Sequence, residues 1–383
     1  MPNMLYEGDN LSVIEKYLEE GSIDLIYLDP PFNSQKHYSI RWNPSTSSSK
    51  DINNPAFLDK FFWDESSEED LKELSSKPSL NKLIGSLKDT IGTGPLMAYL
   101  VMMAARLNVI HRILKDTGSL YLHCDPTACH YLKLILDAIF GFDKFRNSLV
   151  WKRTSAHSDK HGWGRIHDTI LFYTKSDEYQ WNKVFTEYSP QYIEKFYRYK
   201  DPKGRRFQAD NLMAQGASST GSSSLPWRGI DPTLKGNHWA IRRTFLHDPN
   251  IPEDSLEALD YLDSIGRIYW PKKGRIPRLK RYLDEMEGTA IQDMITDIPP
   301  ISGTSKEKSG YPTQKPLRLL ARIILASSKE GDLILDPFCG SGTALVAAQT
   351  LLRNWIGIDK SPLAIETAEK RLLKLGASFK KLN

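Results

Sequence analysis

Two short clusters hold residue types suited to chemistry on a planar, amino-bearing ligand. At Leu28-Asp-Pro-Pro-Phe32 a carboxylate, a stiff turn and an aromatic ring follow one another. Asp29 and a carbonyl of the turn can accept both protons of an exocyclic amino group. Pro30 and Pro31 restrict the backbone, and Phe32 offers a ring face for stacking. Taken alone, this cluster is equally an ordinary Asp-Pro-Pro turn. The second cluster is Asp336-Pro-Phe-Cys-Gly-Ser-Gly-Thr343. Gly340 and Gly342 let backbone approach a ligand where a Cβ would collide, and the helix start behind them presents free N–H groups. Asp359 follows 17 residues after Gly342, where an acid can accept hydrogen bonds from ribose hydroxyls. Only two glycines of the three-glycine dinucleotide fingerprint are present, so a nicotinamide reading is weak.

Both clusters need strand ends to hold them. Residues 11–18 have helical apolar spacing behind Asp9-Asn10, and 23–28 form a buried-strand run that the two prolines stop. The pattern predicts a helix over 64–74, a long helix over 95–115, a strand over 119–124 and a helix from Pro126. Further strands are expected at 148–152 and 168–174. The alternation lapses from about 178 to 310, then resumes with a helix over 317–326, a strand over 332–336, a helix over 340–352, a strand over 354–359 and a helix over 361–375. Such alternation argues for an α/β domain built on a parallel sheet.

Composition narrows the classes. The chain has 383 residues, 40% apolar and 26% charged, with three cysteines, Cys124, Cys129 and Cys339. Those proportions suit a globular protein rather than collagen, coiled coil or disorder, and three cysteines make no disulfide framework. No apolar run approaches the ~20 residues of a spanning helix and the start is unlike a signal peptide, so no membrane partner and a cytoplasmic location are expected. The net charge of +4 sits entirely within 151–310, and 16 of the 40 aromatics lie in 151–250. Basic and aromatic residues interleaved in this way suit a surface for phosphates and bases, or equally an aromatic core with solvated charges.

The pairing of DPPF with DPFCGSGT resembles the S-adenosylmethionine-dependent amino-methyltransferases of DNA, which methylate adenine N6 or cytosine N4. The catalytic cluster precedes the glycine turn with a long variable region between them, as in the circularly permuted beta group. Gly8-Asp9-Asn10 resembles the segment that contacts the cofactor's adenine, and Tyr311-Pro-Thr-Gln-Lys-Pro316 the one that closes over its methionine end. The strands at 118–125 and 168–175 also match the group. The resemblance implies an α/β fold with a Rossmann-like seven-stranded methyltransferase sheet, permuted motif order and an inserted target-recognition region. The corresponding segments are 1–38 (catalytic half), 39–94 (insertion or lid), 95–178 (methyltransferase domain), 179–310 (target recognition) and 311–383 (cofactor half).

The same resemblance implies roles. Asp29, Pro30, Pro31 and Phe32 would receive a base flipped out of the duplex. Asp9, Asn10, Thr313, Lys315, Asp336, Phe338, Cys339, Gly340, Ser341, Gly342, Thr343 and Asp359 would bind S-adenosylmethionine. Cys339 then reads as a small residue of the turn rather than a nucleophile. Asp in the first position of the DPPF cluster is the usual adenine form, so N6 of adenine is expected; cytosine N4, or a DNA-binding specificity subunit without turnover, stays open. Double-stranded DNA is the implied partner, with a cognate restriction endonuclease and a homodimer left open. Arg205, Arg206, Arg242, Arg243, Lys272, Lys273 and Arg275 are candidates for phosphate or base contacts, although charge clusters are more often solvated faces. His123, Cys124, Cys129 and His130 have zinc-ligand types, but neighbours on a strand point to opposite faces, and no metal is expected. The polar loop 155–165 is read either as a wall of the DNA or base pocket or as a solvated connection.

Overall fold

The computed structural model describes residues 3–32, 36–40, 54–156, 158–159, 161–216, 221–271 and 276–382. Lys272, Lys273 and Arg275, together with His157 and Lys160, lie outside the described residues. The chain forms two compact units, residues 1–184 with 292–383, and residues 185–291.

The larger unit contains a nine-stranded sheet. Its strands are β1 (Asn3–Glu7), β2 (Ile23–Leu28), β3 (Leu114–Cys124), β4 (Phe145–Lys152), β5 (His167–Thr174), β6 (Met294–Ile295), β7 (Leu333–Asp336), β8 (Asn354–Asp359) and β9 (Phe379–Leu382). They lie in the order β6-β4-β5-β3-β2-β7-β8-β1-β9. Only β5 runs antiparallel to its neighbours. The expected count of seven is corrected to nine: the short strands β6 and β9 pair along the outer edges of the seven, satisfying backbone groups that would otherwise be left open. The permuted order is visible in the pairing. β7 and β8, from the end of the chain, lie between β2 and β1, from its beginning.

Side chains alternate across the sheet, as a two-residue period requires. Ile26 and Leu28 of β2, Leu335 of β7 and Ile356 of β8 join one core. There they meet α1 (Asn10–Tyr17), α4 (Pro95–Ile113) and α5 (Cys129–Phe140). Leu25, Ile334 and Trp355 join the other core, with α6 (Leu317–Ser327), α7 (Thr343–Thr350) and α8 (Pro362–Leu373). The sheet is therefore covered by helices on both faces. α4 has 19 residues and is apolar and long enough by composition to cross a membrane, contrary to the expectation that no run would approach that length. Twelve of its residues are instead buried in the core. The 39–94 segment supplies α2 (Glu65–Glu73) and α3 (Pro78–Ile91), whose flanking Leu74 and buried Leu80 and Ile84 belong to the same core as α4.

The smaller unit has its own apolar core. Trp227, Trp239, Leu259, Leu262, Ile268 and Leu279 pack between the helix Ser255–Ser264 and an antiparallel four-stranded sheet. Its strands lie in the order Ile268–Tyr269, Arg278–Tyr282, Arg206–Asn211 and Tyr199–Lys200.

Candidate active site

Parallel pairing brings four strand ends to one rim. Leu28 of β2 pairs with Leu122 of β3, Asp336 of β7 with Gly357 of β8, and Glu7 of β1 with Asp359 of β8. The turns after these strands surround a cavity of about 570 Å³, the position at which open α/β sheets take ligands. Asp9, Asn10, Asp29, Pro30, Pro31 and Phe32 line it from the N-terminal part of the chain. Thr313, Lys315, Asp336, Phe338, Cys339, Gly340, Ser341, Thr343 and Asp359 line it from the C-terminal part.

Gly342 does not line the cavity. Its φ is +73°, and a Cβ there would come within 2.7 Å of the Ala368 Cβ, so it serves the packing of α7 on α8 rather than ligand approach. Gly340, at φ +48°, is the glycine of the turn that lines the cavity. Behind the turn, Arg371 of α8 donates to the Ser341 carbonyl at 2.6 Å, to Ser341 Oγ at 3.1 Å and to Thr343 Oγ1 at 3.0 Å. These bonds fix the hydroxyls at the start of α7.

The carboxylates under the cavity differ in environment. Burial pushes the Asp336 carboxyl well above its usual range, and the charges of Asp29 and Asp359 push the same way against the Phe338 N–H. Burial also raises Asp359, opposed by backbone N–H bonds from Ser361 and Gly340. Asp359 accepts from Gly340 N at 2.8 Å on one oxygen and from Ser361 N at 2.8 Å on the other. Each oxygen retains acceptor capacity for a hydroxyl. Burial and the neighbouring acids push the Cys339 thiol up, so a thiolate nucleophile is disfavoured.

Asp9 caps α1 by accepting from Leu11 N and Ser12 N at 3.1 and 3.3 Å. Asn10 reaches across the site and donates to the Pro337 carbonyl at 2.8 Å. Arg106 of α4, which the sequence reading missed, binds both: Nη2 lies 3.0 Å from Asp9 and Nε 2.8 Å from the Asn10 side-chain oxygen. It also faces Asp70 at 3.5 Å. Its one visible signal was a lone arginine in an otherwise apolar stretch of helix.

Asp29 is engaged by Lys315, whose Nζ lies 2.7 and 2.6 Å from the two carboxylate oxygens. The same Nζ stands 5.1 Å from the centre of the Phe32 ring. Phe32 stacks on His123 with ring centres 5.7 Å apart. Both ring nitrogens of His123 are engaged within the protein. Its Nδ1 pairs with the Tyr27 hydroxyl at 3.0 Å and its Nε2 with Asp168 at 3.2 Å, and among the described residues no three metal-donor side chains gather. Tyr27, the second residue missed, also lines the cavity.

The basic candidates of the smaller unit differ among themselves. Arg205 spends its donors on Asp284 and Glu285 and lies 3.8 Å over the Tyr282 ring. Arg243 donates to the carbonyls of Ile251, Pro252 and Glu253. Arg206 is exposed, and Arg242 stands 3.8 Å from Asp210 with most of its side chain in solvent.

A family model for N6/N4-type enzymes, described as DNA methylase, matches residues 23–370. The chain belongs to this family. Type II methyltransferase M.EcaI of Enterobacter cloacae is 31% identical to this methylase over 373 residues, covering 97% of this chain and 69% of that protein. The Mod subunit of the type III restriction-modification enzyme StyLTI of Salmonella typhimurium is 27% identical over 364 residues, 91% of this chain and 50% of the subunit. The PvuII DNA methyltransferase, cytosine-N4-specific, aligns with 100% of this chain and 95% of its own at a TM-score of 0.47 and 12% identity.

Proposed function

We propose that this DNA methylase transfers a methyl group from S-adenosylmethionine to the N6 amino group of an adenine flipped out of double-stranded DNA. The observation that carries the reading is that Asp29 and the Gly340 turn open into one cavity. An acceptor for an amino group and a backbone cradle for a cofactor thus share a single space. Asp9, Asp29, Asp336 and Asp359 line it beside Lys315, Arg106 and Lys360, and carboxylates beyond those the cations occupy suit a ligand bearing cationic groups. S-adenosylmethionine supplies a methyl group activated by a sulfonium.

The protein positions and polarises. Asp29 and a carbonyl of the Pro30-Pro31 turn accept the two amino protons, Phe32 stacks on the ring, and Asp359 receives ribose hydroxyls. Asp9 and Asn10 are assigned to the cofactor's adenine, Thr313 and Lys315 to its methionine end. The 185–291 unit is assigned to target recognition, with exposed Arg206 and Arg242 meeting phosphates. Base flipping is required because the amino group is out of reach inside the stack.

The test combines purified protein, methyl-labelled S-adenosylmethionine and unmethylated plasmid, followed by nuclease digestion and mass spectrometry. Labelled N6-methyldeoxyadenosine is expected. Labelled N4-methylcytosine nucleoside would overturn the choice of adenine. Absence of label from DNA, with the cofactor bound, would overturn DNA methylation by this chain alone.

A further inference from the structure

We propose that Trp163, in the loop between β4 and β5, inserts into DNA and fills the gap that the flipped nucleotide leaves in the duplex. The assignment rests on the DNA reading above and adds a contact to it. Pairing register places the loop. Lys152, the last residue of β4, pairs with His167, the first of β5. Thr169 of β5 pairs with Cys124, the last residue of β3, and Leu122 of β3 pairs with Leu28, next to Asp29. The loop therefore leaves the same rim as the turn assigned to the base.

Its neck is tied to that turn. Arg153 N donates to the Ile166 carbonyl at 3.0 Å, which closes the neck. The Arg153 guanidinium lies 3.1 Å from one oxygen of Asp168, whose other oxygen pairs with His123, the ring beneath Phe32.

Trp163 is 97% exposed, the most exposed large hydrophobic side chain among the described residues. A ring held so far into water contributes nothing to the core, and its indole, a bicycle like that of a purine, offers a face on which bases stack. Gly162 and Gly164 flank it, and a Cβ at Gly162 would meet open space, so the surroundings of the ring are uncrowded. Lys152, Arg153 and Arg165 are exposed at the base of the loop, whereas Asp159 is its one acid among the described residues. Basic charge around a projecting aromatic fits a polyanion with stacked bases better than an apolar protein surface.

The test compares two duplexes containing the methylated site mapped by sequencing. One is intact. In the other an abasic position faces the target nucleotide, so that it has no partner and leaves the stack more easily. Trp163→Ala is expected to methylate the intact duplex about tenfold more slowly, with the loss shrinking to within about twofold on the abasic duplex. Trp163→Phe should recover most of the rate, and cofactor affinity by calorimetry should be unchanged. Equal loss on both duplexes, or no loss on either, overturns the inference alone. Methylation of neither duplex by the unaltered protein overturns the DNA reading and the inference with it.

Discussion

Lys315 and Asp29, separated by 286 residues in sequence, meet in a two-pronged ion pair with Nζ 2.7 and 2.6 Å from the carboxylate oxygens. The pair joins the C-terminal loop to the turn assigned to the target base, and it shows that both oxygens of Asp29 accept donors from the cavity side. On the proposed function, an amino group entering the site must share or replace that lysine, so the strength of the pair would set part of the cost of binding the base.

Asp29→Asn should lower the methylation rate by at least about a hundredfold while leaving the cofactor dissociation constant within about threefold, as expected when the contact acts on the base rather than the cofactor. Calorimetry with S-adenosylmethionine and single-turnover methylation measure the two. Parallel loss of both would refute the division of labour between Asp29 and the glycine turn.

Arg106→Gln should weaken cofactor binding about tenfold, the scale of losing charge-assisted hydrogen bonds to Asp9 and Asn10. Calorimetry gives the dissociation constant, and a circular dichroism spectrum matching the unaltered protein shows that the change is local.

Gly342→Ala should destabilise the protein by about 2–3 kcal/mol, from a positive φ combined with a collision at Ala368. Gly21→Ala is the control. Its φ is +61° but a Cβ would meet nothing within 4 Å, so about 1 kcal/mol is expected. Denaturant unfolding compares them, and equal losses would remove the packing role.

Two half-buried groups oppose each other in acid. Burial raises Asp70 to about 6 against the attraction of Arg106, with Glu73 and Asp9 adding to the rise. The folded state then holds a proton that the unfolded state releases, so this group lowers stability as pH rises from about 4 to 6. His111 is pushed down to about 4 by burial, helped by Lys77 and Lys175. There the unfolded state binds the proton, and stability falls as pH drops from about 6.5 to 4. Asp70→Asn should therefore make stability rise more steeply with pH in that window, and His111→Gln should make it rise less. Unfolding midpoints at pH 4, 5, 6 and 7 for both variants would reveal a reversed sign.

Arg206→Ala and Arg242→Ala should each reduce the slope of log affinity against log salt by about one on any DNA sequence. Fluorescence anisotropy between about 50 and 200 mM salt, over which the Debye length roughly halves, tests this. A change confined to one sequence would instead mark a base contact.

Legibility in the sequence followed the range of the determining contacts. The strand 354–359 was expected with its observed bounds, because an apolar run between a turn and an acid is a local signal. The turn 336–343 was equally local, and all its named residues but Gly342 face the cavity. α3 was not anticipated: Gly85 interrupts its pattern, and its definition comes from Leu80 and Ile84 packing into the main core. β1 was missed for a similar reason, since a five-residue segment becomes a strand only through partners some 350 residues away. The grip of Arg106 on Asp9 and Asn10, and the Tyr27–His123–Asp168 chain, depend on folded geometry that spacing cannot express.

The position of β1 bears on the order in which the protein is made. This first strand lies between β8 and β9, both contributed by the last thirty residues. A growing chain at the ribosome therefore displays the Asp29-Pro-Pro-Phe32 turn long before the strands that flank β1 have been synthesised. Until then the N-terminal segment has an unpaired edge and no glycine turn opposite it. Loss of β8 and β9 would leave both edges of β1 unpaired, so the first strand and the turn that follows β2 depend for their support on the far end of the sequence.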